Sequence, residues 1–303
     1  MASPNFDRSF DPAYGRAVPA APGVERLTVN NPSAFTFHGT NSYIVGHGGS
    51  VMVIDPGPEG DAHFDALMAA LGTRSVSHIL VSHTHRDHSP LSRRLQQATG
   101  ALTVGEGPHR AARPLHKGET NPFDESADRD FVPDIAIGDD ETIVGDGFSL
   151  TALLTPGHCA NHACFALEGT GIVFSADHVM AWATSIVAPP DGSMADYMAS
   201  LERMLARNDS LFLPGHGGPV REPAAFMRGL RAHRRMRERA IFERIKAGDR
   251  SIFEMVGAIY RDTDARLHGA AALSVLAHLE DLVDKGTVAT DGPPSLNGTY
   301  RPA

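Results

Sequence analysis

A chain of 303 residues with 42% hydrophobic and 21% charged residues has the composition of a folded globular protein, long enough for one large domain and a smaller appendage. Its formal net charge of −9 weighs against a protein devoted to nucleic acid, and its two cysteines, Cys159 and Cys164, are too few for a disulfide framework and are expected to be small buried residues. No apolar run approaches the roughly 20 residues that span a bilayer. The N-terminal segment lacks the apolar stretch of a signal peptide, and Asp7 and Asp11 do not suit a transit peptide, so a cytoplasmic protein that engages no membrane is the expectation.

Residues 1–24, rich in Pro, Ala and Gly, read as an extended N-terminal arm. ERLTVNN, NSYIVGHG and SVMVIDPG then read as consecutive strands, the last stopped by an Asp-Pro-Gly turn. EGDAHFDALMAALG puts Phe64, Leu67, Met68 and Leu71 at helical spacing and ends on Gly72, a C-cap. VSHILVS is a buried-type strand that runs into HTHRDH; LSRRLQQATG is a short helix and ALTVG another strand. Residues 106–138 carry much charge and little periodicity, which predicts a long surface loop over the site. Strand patterns resume in ETIVGDGFSLTALLTPGH, HACFALEG and GIVFSAD, followed by the helix MADYMASLERMLARN and the strand SLFLPGH. Strands followed by a helix, twice over, suit two packed sheets with helices outside: an α/β sandwich in four layers spanning residues 25–221.

After residue 222 the texture changes. AAFMRGLRAHRRMRERAIFERIKAG, SIFEMVGAIYRD and AAALSVLAHLEDLVDKG read as three helices, and TVAT and GTYR as a terminal hairpin, so residues 222–303 form a linker helix and a small winged-helix-like domain. Charge is uneven. Residues 221–250 hold ten Lys or Arg against four Asp or Glu, whereas residues 251–303 hold four against seven. The arginines at 228, 231, 234, 235, 237 and 239 wrap around the helix, which fits a solvated surface or a contact between domains, with phosphate binding by part of the stripe as the alternative.

In HTHRDH the i, i+2 spacing of a strand lets His83 and His85 point together, while the following turn brings Asp87 and His88 to a second position. Further candidate ligands stand where predicted strands end: His158 in TPGH, Asp177 in SAD and His216 in LPGH. His178 would face away from Asp177 and reads as structural, and His162 as a local hydrogen-bonding partner. Tyr43 and Tyr197 are candidate substrate neighbours, with half-buried packing as the alternative.

HTHRDH, TPGH, SAD and LPGHG, in that order between residues 25 and 220, resemble the motifs of the metallo-β-lactamase superfamily. The resemblance implies an αββα fold and two divalent metal ions. By it, His83, His85 and His158 hold the first ion, Asp87, His88 and His216 the second, and Asp177 bridges both, while Asp55 in VIDPG braces the histidine loop. Zinc is favoured by the imidazoles, with Mn2+ or Fe2+ open because of the carboxylates. The C-terminal third resembles the β-lactamase-like protein 2 branch, whose best-known animal member is an endoribonuclease; a departure is Cys159 after His158, where relatives often have Thr.

Such a pair of ions implies a binuclear metal-dependent hydrolase in which hydroxide is available near neutral pH, with Asp87 and Asp177 at the chemistry. Three readings of the reaction stand: a small ester, thioester or lactone as substrate; single-stranded RNA cleaved as by an endoribonuclease; or a nucleic-acid-binding regulator led by the winged-helix-like tail. A small-molecule partner and a possible homodimer are the expected associations, and the net charge of the tail would repel phosphates.

Overall fold

A computed structural model describes residues 4–121 and 123–303. Its first sheet has seven strands in sequence order: β1 (Val18–Ala21), β2 (Val24–Thr28), β3 (Asn41–Val45), β4 (Ser50–Ile54), β5 (Ser75–Leu80), β6 (Leu102–Gly105) and β7 (Ile135–Ala136). The second sheet holds β8 (Thr142–Val144), β9 (Ser149–Leu154), β10 (Ala163–Leu167), β11 (Ile172–Ala176) and β12 (Leu211–Pro214), ordered β12-β11-β10-β9-β8.

Period-two alternation assigns each central strand to two cores at once. Met52 and Ile54 of β4 join Phe165 and Phe174 of the other sheet between the two layers, while Val51 and Val53 face outward against Leu67 and Leu71 of helix α1 (Asp61–Leu71) and Leu95 of α2 (Ser92–Thr99). On the far side Cys164, Val173 and Phe212 pack under Tyr197, Leu201 and Met204 of α3 (Met194–Leu205). Both cysteines are buried and free. The four layers are therefore helix, sheet, sheet, helix.

Helix α4 (Pro223–Ala247) belongs to two cores: Met227 and Leu230 pack on the second sheet, whereas Ile241 and Ile245 meet α5 (Ile252–Ile259), α6 (His268–Asp284) and the hairpin β13 (Val288–Thr290)–β14 (Tyr300–Pro302). Ser251 and Glu254 form a capping box at the start of α5. Among the described residues no helix is long and apolar enough to cross a membrane.

Two sequence expectations change. The arm is not wholly an arm: β1 lies within it and pairs antiparallel with β2, Val18 opposite Arg26, because Gly23 (φ 69°) turns the chain back on itself. Its Pro19 sits on the sheet edge, where no ladder hydrogen bond is lost. Residues 106–138 are likewise more than a surface loop. Ala127 bridges His85, the Asp128 amide donates to Thr84 O at 2.8 Å, Phe131 is buried, and residues 135–136 become β7. Residues 1–3 of the arm and Pro122 of this loop lie outside the described residues.

Burial of histidine couples the fold to pH. Burial pushes His63, which meets Ser42 Oγ at 3.0 Å, down to about 4, and burial together with nearby Arg234 pushes His278 down to about 3. Unfolded imidazoles titrate near ~6.5, so these rings stabilise the fold fully above that pH, and the contribution is lost as pH falls towards their folded values. Urea melts at pH 7.5 and 5.5 are expected to show a lower midpoint at the acid end, each ring contributing up to about 1.4 kcal/mol per pH unit. A midpoint that rises on acidification, or a His63→Gln protein with an equally steep slope, would contradict this origin.

Candidate metal centre

Parallel runs bring the strand ends to one edge. β4, β5 and β6 are parallel, as are β11 and β12, and β9 shares their direction through β10, so Asp55, His83, His158, Asp177 and His216 all follow a C-terminal strand end. Asp55 (φ 49°) and Ala176 (φ 41°), the residue before Asp177, are bent into the left-handed region, which redirects the chain where a side chain must face the cluster.

Two nests of donor atoms result. His83 Nε2 and His158 Nε2 each lie 3.0 Å from His85 Nδ1. His88 Nε2 lies 3.3 Å from His216 Nε2 and 3.5 Å from Asp87 Oδ2, and His216 Nε2 is 3.3 Å from that same oxygen. Asp177 stands between them, Oδ2 being 3.6 Å from His158 Nε2 and 3.4 Å from His216 Nε2.

These atoms fit cations. His88 Nδ1 donates to Asp55 Oδ2 at 3.0 Å, His158 Nδ1 to Ile186 O at 2.6 Å and His216 Nδ1 to Gly39 O at 3.2 Å. Since a carboxylate or carbonyl can only accept, the proton of each neutral ring sits on Nδ1 and the converging Nε2 presents a lone pair. Asp177 Oδ1 is buried without a hydrogen-bond partner. A Cβ on Gly215 would stand 2.6 Å from that oxygen and 2.7 Å from His88 Cε1, so the glycine of LPGH keeps the space open. The glycine of TPGH works similarly: a Cβ on Gly157 would lie 2.3 Å from Tyr197 Cα, where α3 crosses beneath His158.

Electrostatics divide the nests. Burial, reinforced by neighbouring imidazoles, holds His83 well below its ordinary range and His85 at about 3, so both rings are neutral at pH 7. Burial would lower His88 too, but Asp87, Asp177 and Asp55 outweigh it and hold the ring at about 9; Asp177 and Asp87 likewise outweigh burial to raise His216. The same pairs keep Asp87 and Asp177 below the usual carboxylate range despite their burial. Without ions, protons on His88 and His216 thus balance the carboxylates; metal uptake would displace them.

Asp55 takes the bracing position: Oδ1 accepts the Ser82 amide at 2.7 Å, and Oδ2 accepts Ser82 Oγ at 2.6 Å besides His88 Nδ1. His162 accepts the Asp177 amide at its Nε2 (3.2 Å), and its Nδ1 meets Thr155 Oγ1 at 2.9 Å. His178 is fully buried away from the nests. Tyr43 and Tyr197, candidate substrate neighbours with packing as the alternative, are core residues. Tyr43 packs on Phe174 and donates to Pro214 O at 2.8 Å, and Tyr197 is fully buried in α3 and donates to His178 O at 3.2 Å; their apolar rings fill the sheet–sheet and sheet–helix cores, which leaves neither at the cavity.

A cavity of about 460 Å³ opens over the nests. Its walls include Phe35, Phe123, Met180 and Trp182, with Phe6 and Arg8 from the arm, Arg234 and Arg237 from α4, and Leu267 and Ala271 at the start of α6. Trp182, stacked on Phe37 at 4.8 Å, escaped sequence reasoning; the signal present was a lone Trp in a loop five residues beyond Asp177. Arg231 and Arg235 do make the expected surface contacts, pairing with Glu202 of α3, but Arg234 is buried.

Two helix-flanked sheets with a His/Asp cluster at their shared edge define a class, the metal-dependent hydrolases of the αββα fold. Residues 35–216 match the metallo-beta-lactamase superfamily, and the chain belongs to it; residues 251–293 match the beta-lactamase associated winged helix domain. The beta-lactamase-like protein 2 homolog of Drosophila melanogaster is 27% identical over 285 residues, which cover 88% of this chain and 91% of the relative. An atrochrysone carboxyl ACP thioesterase of a Cryptosporiopsis species is 28% identical over 240 residues, 77% of this chain and 66% of that protein. Among solved structures, a metallo-beta-lactamase family protein from Thermus thermophilus superposes with a TM-score of 0.75 at 25% identity, covering 93% of this chain and 99% of its own. A beta-lactamase domain protein from Burkholderia ambifaria gives 0.81 at 22% identity, covering 99% and 97%.

Proposed function

We propose that this hydrolase uses two ions, zinc at the imidazole-rich position, to cleave a small acyl thioester or related ester. The observation that carries the reading is that His85, Asp87, His158, Asp177 and His216 of the nests line a cavity of about 460 Å³ whose walls are mainly apolar, which suits an acyl chain. One relative is named as a thioesterase, which points the same way.

When bound, the ions would supply water activated near neutral pH and polarise the carbonyl. His83, His85 and His158 would hold one, Asp87, His88 and His216 the other, with Asp177 shared. Asp87 is the ligand carboxylate with most access to the cavity, its side chain 26% exposed, and it stays ionised against His88 and His216. In this reading it would orient the attacking water and accept its proton. Phe35, Phe123 and Trp182 exclude bulk water from the acyl chain.

The regulator reading loses support from the tail. α6 is the helix a winged-helix module would lay in a major groove, yet it is buried against α3, α4 and α5 and its first turns wall the cavity. An acidic tail also disfavours RNA. The test pairs elemental analysis with turnover: unsupplemented protein should carry two ions per chain and hydrolyse butyryl thioesters in a chelator-sensitive way, leaving labelled single-stranded RNA intact. Chelator-sensitive RNA cleavage with inert thioesters would replace this reading with the nuclease one.

A further inference from the structure

The wall of the cavity contributed by α4 holds positive charge that no carboxylate among the described residues balances. Arg234 is 4% exposed, and its Nε is buried without a hydrogen-bond partner, as is Nε of Arg237 one turn along the helix. On α4, Arg231 and Arg235 pair with Glu202 and Arg244 with Asp249, and Arg228 and Arg239 are exposed to solvent, but among the described residues no carboxylate pairs with Arg234 or Arg237, which line the cavity. The acids that share the cavity are committed elsewhere: Asp87 and Asp177 to the metal nests, and Asp191 to His109 at 3.6 Å. A buried guanidinium without a counter-charge is costly, and each offers five N–H donors in a plane that suits a carboxylate or phosphate.

The geometry also presents these groups for binding. Arg234 lies over the Tyr197 ring (4.9 Å) and donates to Ser185 O, and Arg237 lies over the Tyr260 ring (4.6 Å), so aromatic faces hold both forks in position. Ser185 precedes Ile186, whose carbonyl accepts the His158 Nδ1 proton at 2.6 Å. One short loop therefore anchors a metal-nest histidine and a guanidinium through adjacent carbonyls, and both line the same cavity.

We infer that the α4 end of the cavity is an oxyanion-recognition subsite in which Arg234 and Arg237 bind a carboxylate or phosphate of the substrate, held apart from the carbonyl under attack. The winged-helix-like domain thereby acts in substrate selection, through α4 and the Tyr260 segment. The inference rests on the thioester reading only for the bond that is cut.

Four thioesters test it as two matched pairs. Butyryl- and succinyl-N-acetylcysteamine differ by a carboxylate on the acyl side; butyryl-pantetheine and butyryl-phosphopantetheine differ by a phosphate on the thiol side. In at least one pair kcat/KM should favour the charged member by about tenfold or more, and the pair that does so identifies the source of the anion. Arg237→Lys keeps the charge but not the planar fork and should retain only part of that ratio, whereas Arg237→Gln should bring it to within about twofold, mainly through KM. Ratios near one in both pairs of the parent protein, or a preference that survives Arg237→Gln, would overturn the subsite. If none of the four is hydrolysed, the thioester reading fails, and the subsite is judged by titrating succinate and inorganic phosphate against the fluorescence of Trp182, the single tryptophan, in the cavity wall. A saturable change weakened about tenfold or more in Arg237→Gln would sustain it; no binding, or equal binding in both proteins, would end it.

Discussion

Asp177→Asn is expected to lower kcat/KM about a thousandfold, the equivalent of roughly 4 kcal/mol of transition-state stabilisation, and to reduce bound metal from two ions per chain to one. The carboxylate lies between the nests, with Oδ2 3.4 Å from His216 Nε2 and 3.6 Å from His158 Nε2 and with Oδ1 buried and unpartnered. An amide of the same shape has one acceptor oxygen, carries no charge and turns an NH2 group towards one nest. The fold should survive, because Asp87 still faces His88 and His216 at 3.5 and 3.3 Å. Thermal melts of the chelated variant should therefore remain cooperative. Wild-type turnover from a protein that has lost an ion would refute the shared role of Asp177.

Loss of Asp55 should act on stability as well as on metal. The carboxylate accepts from the Ser82 amide, Ser82 Oγ and His88 Nδ1, and it is 2% exposed. Asp55→Ala leaves two buried donors unpaired, the Ser82 amide and Nδ1 of a ring that carries charge when metal-free, with Ser82 Oγ keeping only His83 Nδ1 at 3.0 Å, and should cost about 3–5 kcal/mol of unfolding free energy. Asn at this position tolerates the positive φ and keeps an acceptor, so Asp55→Asn isolates the electrostatic part. There the melting point should fall less, while affinity for the ion at Asp87, His88 and His216 drops about 10–100-fold, read by competition with a metal indicator. Equal affinity in Asp55→Asn and parent would remove Asp55 from the metal site's support.

Much of the molecule was readable in its local patterns, and the reason differs from element to element. β4, β10 and β11 are near-continuous apolar runs because sheets with both faces covered demand side chains fit for two cores. HTHRDH was readable because ligands for one site came from neighbouring residues, and TPGH, SAD and LPGH because each ends an apolar strand. β1 was missed since its VPAA sequence has no strand signal of its own; pairing with β2 makes it a strand. β7 has two residues and exists through its contact with β6. Tyr43 and Tyr197 stayed open between cavity wall and core because an amphipathic ring fits either equally well, and the partner for its hydroxyl, Pro214 O or His178 O, comes from another segment.

Chain order and residue chemistry were enough to define the layers, the strand ends that carry polar groups and the identity of the donor atoms, since hydrophobic periodicity and strand termini are local properties. Which donors lie together, which tautomer each histidine adopts, how α4 comes to wall the cavity and why Arg234 is buried without an acid depend on contacts between segments far apart in the chain, such as His216 with Gly39 O, 177 residues away. Such contacts arise from how the two sheets and the C-terminal helices pack, and packing is a property of the assembled surfaces that no single stretch of chain encodes.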